Sequence, residues 1–126
     1  MKKRVLVVED DERIRKVVRI ILTCDELEVD EAAGGQEALD SLAAGTYDLV
    51  VLDLMMPDVD GMQVLQKIRS TPGLAEVPVI VVTAKSSDAD IMTGFRQGAN
   101  YYITKPFEPR ELVDSVELIL GVKVSA

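Results

Sequence analysis

The chain lacks any apolar run close to the roughly 20 residues that a helix needs to cross a bilayer. Its Met1-Lys2-Lys3-Arg4 start leads straight into a short strand-like run rather than a targeting segment. Tryptophan is absent, and the aromatic residues are three tyrosines and two phenylalanines. We therefore expect a cytoplasmic protein that makes no membrane contact.

Cysteine is nearly absent as well. Cys24 is the only one, so the chain cannot form an internal disulfide. Because it ends an amphipathic stretch where a small apolar residue would pack, a buried structural role is favoured over a redox role.

Positive charge is in deficit, with 14 Lys and Arg against 22 Asp and Glu and a formal net charge of −8. Proteins that bind nucleic acid derive much of their affinity from cations placed against phosphates. We therefore expect no direct nucleic-acid binding by this chain.

What the sequence does contain is an alternation of short β-branched runs with longer segments of helical period. The length of 126 residues, with 48% apolar and 29% charged, is typical of a single globular domain over 1–126. The alternation repeats five times, which predicts five βα units. The predicted strands cover 4–8, 28–32, 48–52, 79–82 and 101–103.

The polarity of these runs predicts an α/β fold. The first, third and fourth are apolar on both faces, as parallel strands are when helices cover both sides. The second is mixed in polarity, which suits a strand at the sheet edge. Right-handed crossovers then give a doubly wound, five-stranded parallel sheet with helices on both faces and sites at the carboxyl ends of the strands.

Helical periodicity predicts which side chains the helices bury. The first helix is expected to bury Ile14, Val17, Val18, Ile21 and Leu22. The fourth, over about 88–97, is expected to bury Ile91, Met92 and Phe95. The fifth is expected to begin near Pro109, a favourable first helical residue. We expect no output domain within this sequence after it.

Unusual polar residues follow four of the five predicted strands. Because the carboxyl ends of parallel strands meet at one rim, we expect these side chains to converge. They are Glu9, Asp10 and Asp11 after the first strand, Asp53 after the third, Thr83 at the end of the fourth and Lys105 after the fifth.

Clustered carboxylates repel one another unless a cation joins them, and hard oxygen ligands favour Mg²⁺, with Mn²⁺ as an alternative ion. Mg²⁺ usually keeps open positions for phosphate oxygens, so such a site suits phosphoryl chemistry. Asp53 can then act as the nucleophile that forms an acyl phosphate. The Lys105 ammonium can balance charge, and the Thr83 hydroxyl can donate to a phosphoryl oxygen.

Each residue also has a simpler interpretation. Acids after a strand often serve only as helix N-caps, and we prefer that role for Asp11. Thr83 alone would be an ordinary strand end, and Lys105 alone an ordinary surface charge. Met55 is expected to fill the rim of the core, with only its backbone carbonyl of interest. The convergence of the set favours the site.

At this point the residues resemble a family, the response-regulator receiver domain of bacterial two-component systems. The resemblance covers essentially the whole chain, and it rests on Val5-Leu6-Val7-Val8-Glu9-Asp10-Asp11, Leu52-Asp53-Leu54-Met55-Met56-Pro57, Asp60-Gly61, Val82-Thr83-Ala84 and Tyr102-Ile103-Thr104-Lys105-Pro106-Phe107. It implies a flavodoxin-like sheet with strand order 2-1-3-4-5.

The resemblance further implies a role for each site residue. Asp53 is the phosphorylation site, and a histidine kinase or phosphotransfer protein supplies its phosphoryl group. Lys105 pairs with that phosphoryl group. Asp10, Asp53 and the Met55 carbonyl ligate Mg²⁺, with Glu9 acting through water. Thr83 and Tyr102 form a two-state switch that alters the surface of the fourth helix, fifth strand and fifth helix. The Lys105-Pro106 peptide is expected to be cis.

The output is less defined. The chain is similar to receivers attached to winged-helix DNA-binding domains, which dimerise through charges on the fourth and fifth helices. It departs from that pattern at Ile91, Tyr101 and Ser115. A single-domain regulator with a separate protein target, the receiver part of a longer protein with a fused output domain, and a phosphorylation-dependent homodimer stay open.

Three other functions fit the sequence less well. A phosphatase with an Asp nucleophile usually has a second Asp two residues later, where this chain has Met55. A flavin carrier on the same sheet would have to bind phosphate beside Glu9, Asp10 and Asp11, which would repel it. A receiver-like domain that works without phosphorylation would be expected to have an incomplete pocket. We therefore expect a switch that mediates its own phosphorylation and dephosphorylation, not an enzyme acting on external substrates.

Overall fold

Strands and helices alternate along the chain in the computed structural model, which describes residues 2–124. Residues 1, 125 and 126 of the predicted domain lie outside the described part. The strands are β1 (Lys3–Val8), β2 (Leu27–Ala32), β3 (Leu49–Leu52), β4 (Val79–Thr83) and β5 (Tyr101–Thr104). The helices are α1 (Glu12–Leu22), α2 (Gly35–Ala44), α3 (Gly61–Ser70), α4 (Asp88–Arg96) and α5 (Pro109–Leu120).

The five strands form one parallel sheet in the order β2-β1-β3-β4-β5. Every residue of β3 and β4 is buried, whereas β2 buries only Leu27 and Ala32 and lies at the edge. This agrees with the polarity of the runs, since only a strand covered on both faces needs to be apolar throughout. The predicted doubly wound, flavodoxin-like sheet is confirmed.

Successive residues of the central strands point into two different core layers, which explains why helices cover both faces. Leu6, Val50 and Val81 belong to the layer that contains Leu42 of α2 and Leu65 of α3. Their neighbours in sequence belong to the other layer, with residues of α1 and α5; these are Val5, Val7, Leu49, Val51, Ile80 and Val82. Each strand is therefore held from both sides.

The burial predicted for two helices is partly wrong. Met92 and Phe95 of α4 are 54% and 45% exposed, because α4 approaches the sheet through Gly94 and leaves its larger side chains at the rim. Val17 of α1 is 51% exposed, since it lines an open groove beside α5 while Val18 faces the core. Cys24 is only partly buried, against the layer below α1 and α5.

The helices are short. Within residues 2–124, none is both long and apolar enough to cross a bilayer. The longest, α5, has 12 residues and ends at Leu120, and the next residue, Gly121, has a left-handed φ of 68°. A residue without a Cβ takes that conformation at little cost, which explains why the helix stops there.

Candidate functional site

The candidate site lies where β1, β3, β4 and β5 reach the same edge of the sheet. Val8 is in register with Leu52, so Glu9 and Asp53 are neighbours one residue beyond the paired strands. The Asp53 backbone N–H donates to the Val8 carbonyl at 3.0 Å. The strand register thus brings two acids together that are 44 positions apart in the sequence.

Three carboxylates form a cluster at this edge. Glu9, Asp10 and Asp53 each place an oxygen within 4.8 Å of the others. Glu9 and Asp53 are each only 4% exposed, whereas Asp10 lies at the open side of the cluster. Buried like charges repel strongly, and several carboxylate oxygens around one point are the ligands that Mg²⁺ prefers. The donor set therefore fits a hard divalent cation.

Lys105 is the cation that the chain itself supplies to this cluster. Its Nζ donates to Glu9 Oε1 at 2.5 Å and to Asp53 Oδ2 at 3.0 Å. The Lys105 side chain is 17% exposed, so solvent screens these ion pairs little. One ammonium group against three carboxylates leaves negative charge uncompensated.

The proton affinities of this group follow from its burial. Burial raises the pKa of Glu9 to about 7, and the charge of Asp53 acts in the same direction, while the hydrogen bond from Lys105 opposes them. Burial alone would lower the pKa of Lys105, but hydrogen bonds to Glu9 and Asp53 outweigh it and raise that pKa. The Lys105 ammonium thus stays charged, yet it does not fully stabilise the Glu9 carboxylate.

Both carboxylate oxygens of Asp53 are held. Oδ2 accepts from Lys105, and Oδ1 accepts from the Met55 backbone N–H at 3.0 Å. The Met55 side chain is 51% exposed, as a rim residue would be. The two hydrogen bonds give the Asp53 carboxylate one fixed orientation at the site. The Lys105-Pro106 peptide bond, next to the lysine that makes one of them, is cis.

Thr83 and Tyr102 lie on the α4 side of the site. Thr83 is fully buried at the end of β4, and its Oγ1 accepts from the Lys85 N–H at 3.4 Å. The Tyr102 hydroxyl donates to the Lys85 carbonyl at 2.8 Å. Burial, together with the charges of Asp90 and Asp53, raises the pKa of Tyr102. The backbone of Lys85 thus contacts both predicted switch residues, through its N–H and its carbonyl.

Asp11 belongs to a helix end, as predicted. Its Oδ1 accepts from the backbone N–H groups of Arg13 at 2.9 Å and Ile14 at 3.4 Å, which makes it the N-cap of α1. Asp60 caps α3 in the same way through the Met62 N–H. These acids contribute to helix stability and not to the carboxylate cluster.

Sequence reasoning missed the role of Asp58 in the loop after Asp53. The N-cap residue of α2 is Gly34, which has no side chain to cap the helix. Asp58 supplies the cap across 22 or more positions, accepting from the N–H groups of Gly35 and Gln36 at 3.1 Å each. The Gly34-Gly35 start of α2 indicates that the helix needs a capping group from elsewhere. Nothing in the neighbouring sequence indicates that Asp58 supplies it.

The chain is similar in sequence to known proteins. The sequence model of the response regulator receiver domain family matches residues 5–117. The transcriptional regulatory protein SrrA of Staphylococcus aureus is 39% identical over 120 residues, which are 95% of this chain and 48% of SrrA. The chain thus spans about half the length of the curated relatives it matches.

Solved structures share the fold. A putative response regulator from Chloroflexus aurantiacus is similar with a TM-score of 0.89 and 33% identity, over 97% of this chain and 100% of that one. TrrA from Thermotoga maritima, solved in complex with Mg²⁺-BeF, is similar with a TM-score of 0.82 and 34% identity. The match covers 93% of this chain and 98% of TrrA. The chain belongs to the response regulator receiver domain family, the phosphorylation-dependent signalling domains of two-component systems.

Proposed function

We propose that Asp53 is the phosphate acceptor of this receiver domain and that a histidine kinase or phosphotransfer protein supplies the phosphoryl group. The observation that carries the proposal is the Asp53 carboxylate itself, 4% exposed, held at both oxygens and set beside Glu9, Asp10 and Lys105. The protein then works as a switch that mediates its own phosphorylation, not as an enzyme acting on external substrates.

In the proposed transfer, a carboxylate oxygen of Asp53 attacks phosphorus and forms a new O–P bond. The bond between phosphorus and the donor atom breaks, and the donor keeps the electron pair. Lys105 already contacts Asp53 Oδ2, so its ammonium is placed to balance charge on the phosphoryl oxygens. The Met55 N–H holds the other carboxylate oxygen in position.

The metal in this proposal is Mg²⁺, with Mn²⁺ as an alternative. Glu9, Asp10 and Asp53 would hold it, because their oxygens are hard ligands that lie within 4.8 Å of one another. By the family resemblance, the Met55 carbonyl would join them and Glu9 would act through water. When bound, the ion supplies charge neutralisation on the phosphoryl oxygens. TrrA, a relative of the same fold, was solved with Mg²⁺-BeF, which supports this assignment.

The signal in this proposal passes through Thr83 and Tyr102. A phosphoryl group on Asp53 would draw the Thr83 hydroxyl, and Tyr102 would follow because both contact the backbone of Lys85. Tyr102 lies on β5 beside Phe95 of α4, so its position affects the α4–β5–α5 surface. A downstream protein, a fused output domain or a second copy of the chain would bind that surface.

Acetyl phosphate with Mg²⁺ tests the proposal directly. Mass spectrometry should detect one added phosphoryl group on the wild-type protein and none on Asp53→Asn. Asp40→Asn is the matched control, since Asp40 is an exposed acid of α2 and should leave phosphorylation unchanged. Equal phosphorylation of Asp53→Asn would overturn the assignment of Asp53.

Where this receiver domain is part of a longer protein, the activity that we propose for that protein is transcriptional control through its other part. SrrA is a transcriptional regulatory protein about twice the length of this chain. The net charge of −8 opposes direct DNA binding by this chain itself. Mobility-shift assays should therefore find no DNA complex with residues 1–126 alone, in either phosphorylation state.

A further inference from the structure

Gly94 of α4 lies with its backbone directly against the ring of Tyr102. It is the only buried residue among the nine of α4, all of which the structure describes. A Cβ atom at Gly94 would lie 2.7 Å from Cε2 and 2.8 Å from Cδ2 of Tyr102. Non-bonded carbon atoms pack about 3.5–4.0 Å apart, so any side chain at this position overlaps the ring where it now lies.

The Tyr102 ring cannot move aside without losing other contacts. Its hydroxyl donates to the Lys85 carbonyl at 2.8 Å. The ring also packs against the core layer on the α3 side of the sheet, and its centroid lies 6.4 Å from that of Phe95. We call this arrangement, with the ring on Gly94 and the hydroxyl on Lys85, the seated position of Tyr102.

The seated position connects the buried site to α4 through a continuous set of contacts. The Lys85 N–H reaches Thr83 Oγ1, and the carbonyl of the same residue accepts from Tyr102. The ring of Tyr102 then lies on Gly94. Movement of the ring into or out of this position is therefore one route by which a change at Thr83 can reach α4.

We infer that Gly94 is a positioning residue for Tyr102: the absence of a side chain there admits the seated position, and any side chain excludes it. The inference rests on the proposed function, in which Tyr102 moves with the phosphorylation state. It predicts that Gly94→Ala uncouples the response of α4 from the phosphorylation of Asp53. Asp53 would keep its chemistry, while α4 would no longer respond to it.

Helix propensity makes the test sharp because it predicts the opposite sign. Alanine is a better helix former than glycine, so Gly94→Ala should stabilise α4 if the glycine had no other role. The overlap with Tyr102 should instead destabilise the protein. Removing the ring with Tyr102→Ala should restore the stabilising effect of the alanine.

A double-mutant cycle in urea measures this reversal. Gly94→Ala should lower the unfolding midpoint when Tyr102 is present and raise it when Tyr102→Ala is present. Ala89→Gly, at an exposed position of the same helix, is the control and should lower the midpoint equally in both backgrounds. If Gly94→Ala has the same effect with and without the ring, the inference is wrong.

Beryllofluoride with Mg²⁺ tests the functional half by NMR. Gly94→Ala should still be saturated by this mimic, with an affinity changed by no more than the coupling between the site and the ring position, but at saturation the response of the Tyr102 and Lys85 amide signals should fall at least about five-fold. A full response at Tyr102 in this variant overturns the inference. If the wild-type protein ignores the mimic, the assignment of Asp53 fails instead, and the urea cycle still decides the role of Gly94.

Discussion

The ammonium group of Lys105 lies 3.0 Å from Oδ2 of Asp53, and the two side chains are 17% and 5% exposed. This enclosure makes the pair sensitive to the loss of either partner, because a buried charge without its counter-ion is costly. Lys105 also donates to Glu9, so one cation serves two buried acids. The same ion pairs therefore bear on folding and on the proposed phosphoryl transfer.

Replacement of this cation should destabilise the metal-free protein. In Lys105→Met, the carboxylates of Glu9 and Asp53 lose their shared partner, and we expect the free energy of unfolding to fall by roughly 1–3 kcal/mol. Mg²⁺ should recover part of the loss, since the ion supplies the missing positive charge. Urea denaturation with and without Mg²⁺ measures both effects.

Lys67→Met is the control for this change, because Lys67 is an exposed lysine of α3. Its replacement should shift stability by no more than about 0.5 kcal/mol, with no dependence on Mg²⁺. Equal losses in the two variants would show that Lys105 is an ordinary surface charge.

Glu9 should make the metal-free protein less stable as the pH rises. The folded-state pKa of Glu9 is about 7, above its usual 4.5. The folded state therefore binds the proton more tightly than the unfolded state, and the resulting stability is fully present below pH 4.5 and is lost as pH rises through 7. We expect a decline of up to about 3 kcal/mol across this window.

The difference between wild type and Glu9→Gln isolates this effect, since glutamine keeps the shape and cannot ionise. Thermal unfolding at closely spaced pH values should show a decline in the wild-type protein that is absent from the variant. Saturating Mg²⁺ should flatten the wild-type curve, because the ion stabilises the ionised carboxylate. Parallel curves for the two metal-free proteins would contradict the prediction.

The sheet and the site could be predicted because both follow from short-range pattern. Val50 and Val51 are part of an apolar run that only a covered parallel strand explains, and that run ends at Asp53. Parallel strands share one carboxyl edge, so Glu9 and Lys105 could be placed beside Asp53 without coordinates. Nothing beyond residue order was needed for that step.

The exposure of α4 could not be predicted in this way. Met92 and Phe95 have helical spacing and apolar character, yet α4 approaches β5 through Gly94, the smallest residue it has. Periodicity ranks faces by hydrophobicity, whereas close approach of two backbones depends on the absence of a side chain. Asp58 was missed for a related reason, since a cap supplied from another loop leaves no local pattern.

The Asp58 cap should hold the start of α2 against local opening. In Asp58→Ala, the Gly35 and Gln36 N–H groups lose their acceptor, so their hydrogen exchange should accelerate while β3 stays protected. The N–H groups of Gln36 and Gly35 also lower the pKa of Asp58. This contribution is therefore present above the usual Asp pKa and is lost as pH falls through the lowered value.

Asp58→Asn distinguishes charge from hydrogen bonding at this cap, because the amide keeps only one acceptor oxygen. It should protect one of the two N–H groups and remove the pH dependence. Exchange rates at Gly35 and Gln36 that do not change in Asp58→Ala would show that α2 is held by its packing alone.

Asp10 and Asp11 are adjacent in the sequence but should give opposite results when each is replaced. Asp10 is the exposed member of the carboxylate cluster, whereas Asp11 caps α1. Asp10→Asn should weaken Mg²⁺ binding about ten-fold and leave stability within about 0.5 kcal/mol of wild type. Asp11→Ala should lower the free energy of unfolding by about 1 kcal/mol and leave Mg²⁺ affinity nearly unchanged.

Calorimetric Mg²⁺ titration and urea denaturation of the same two variants check this crossed pattern, and each variant is the control for the other. The two variants should differ because the carboxylates point to different partners. The Asp11 carboxylate accepts from the N–H groups of Arg13 and Ile14, whereas an Asp10 oxygen lies within 4.8 Å of oxygens of Glu9 and Asp53. If Asp11→Ala weakened Mg²⁺ binding as much as Asp10→Asn, the ion would have to lie nearer to α1 than the carboxylate cluster allows.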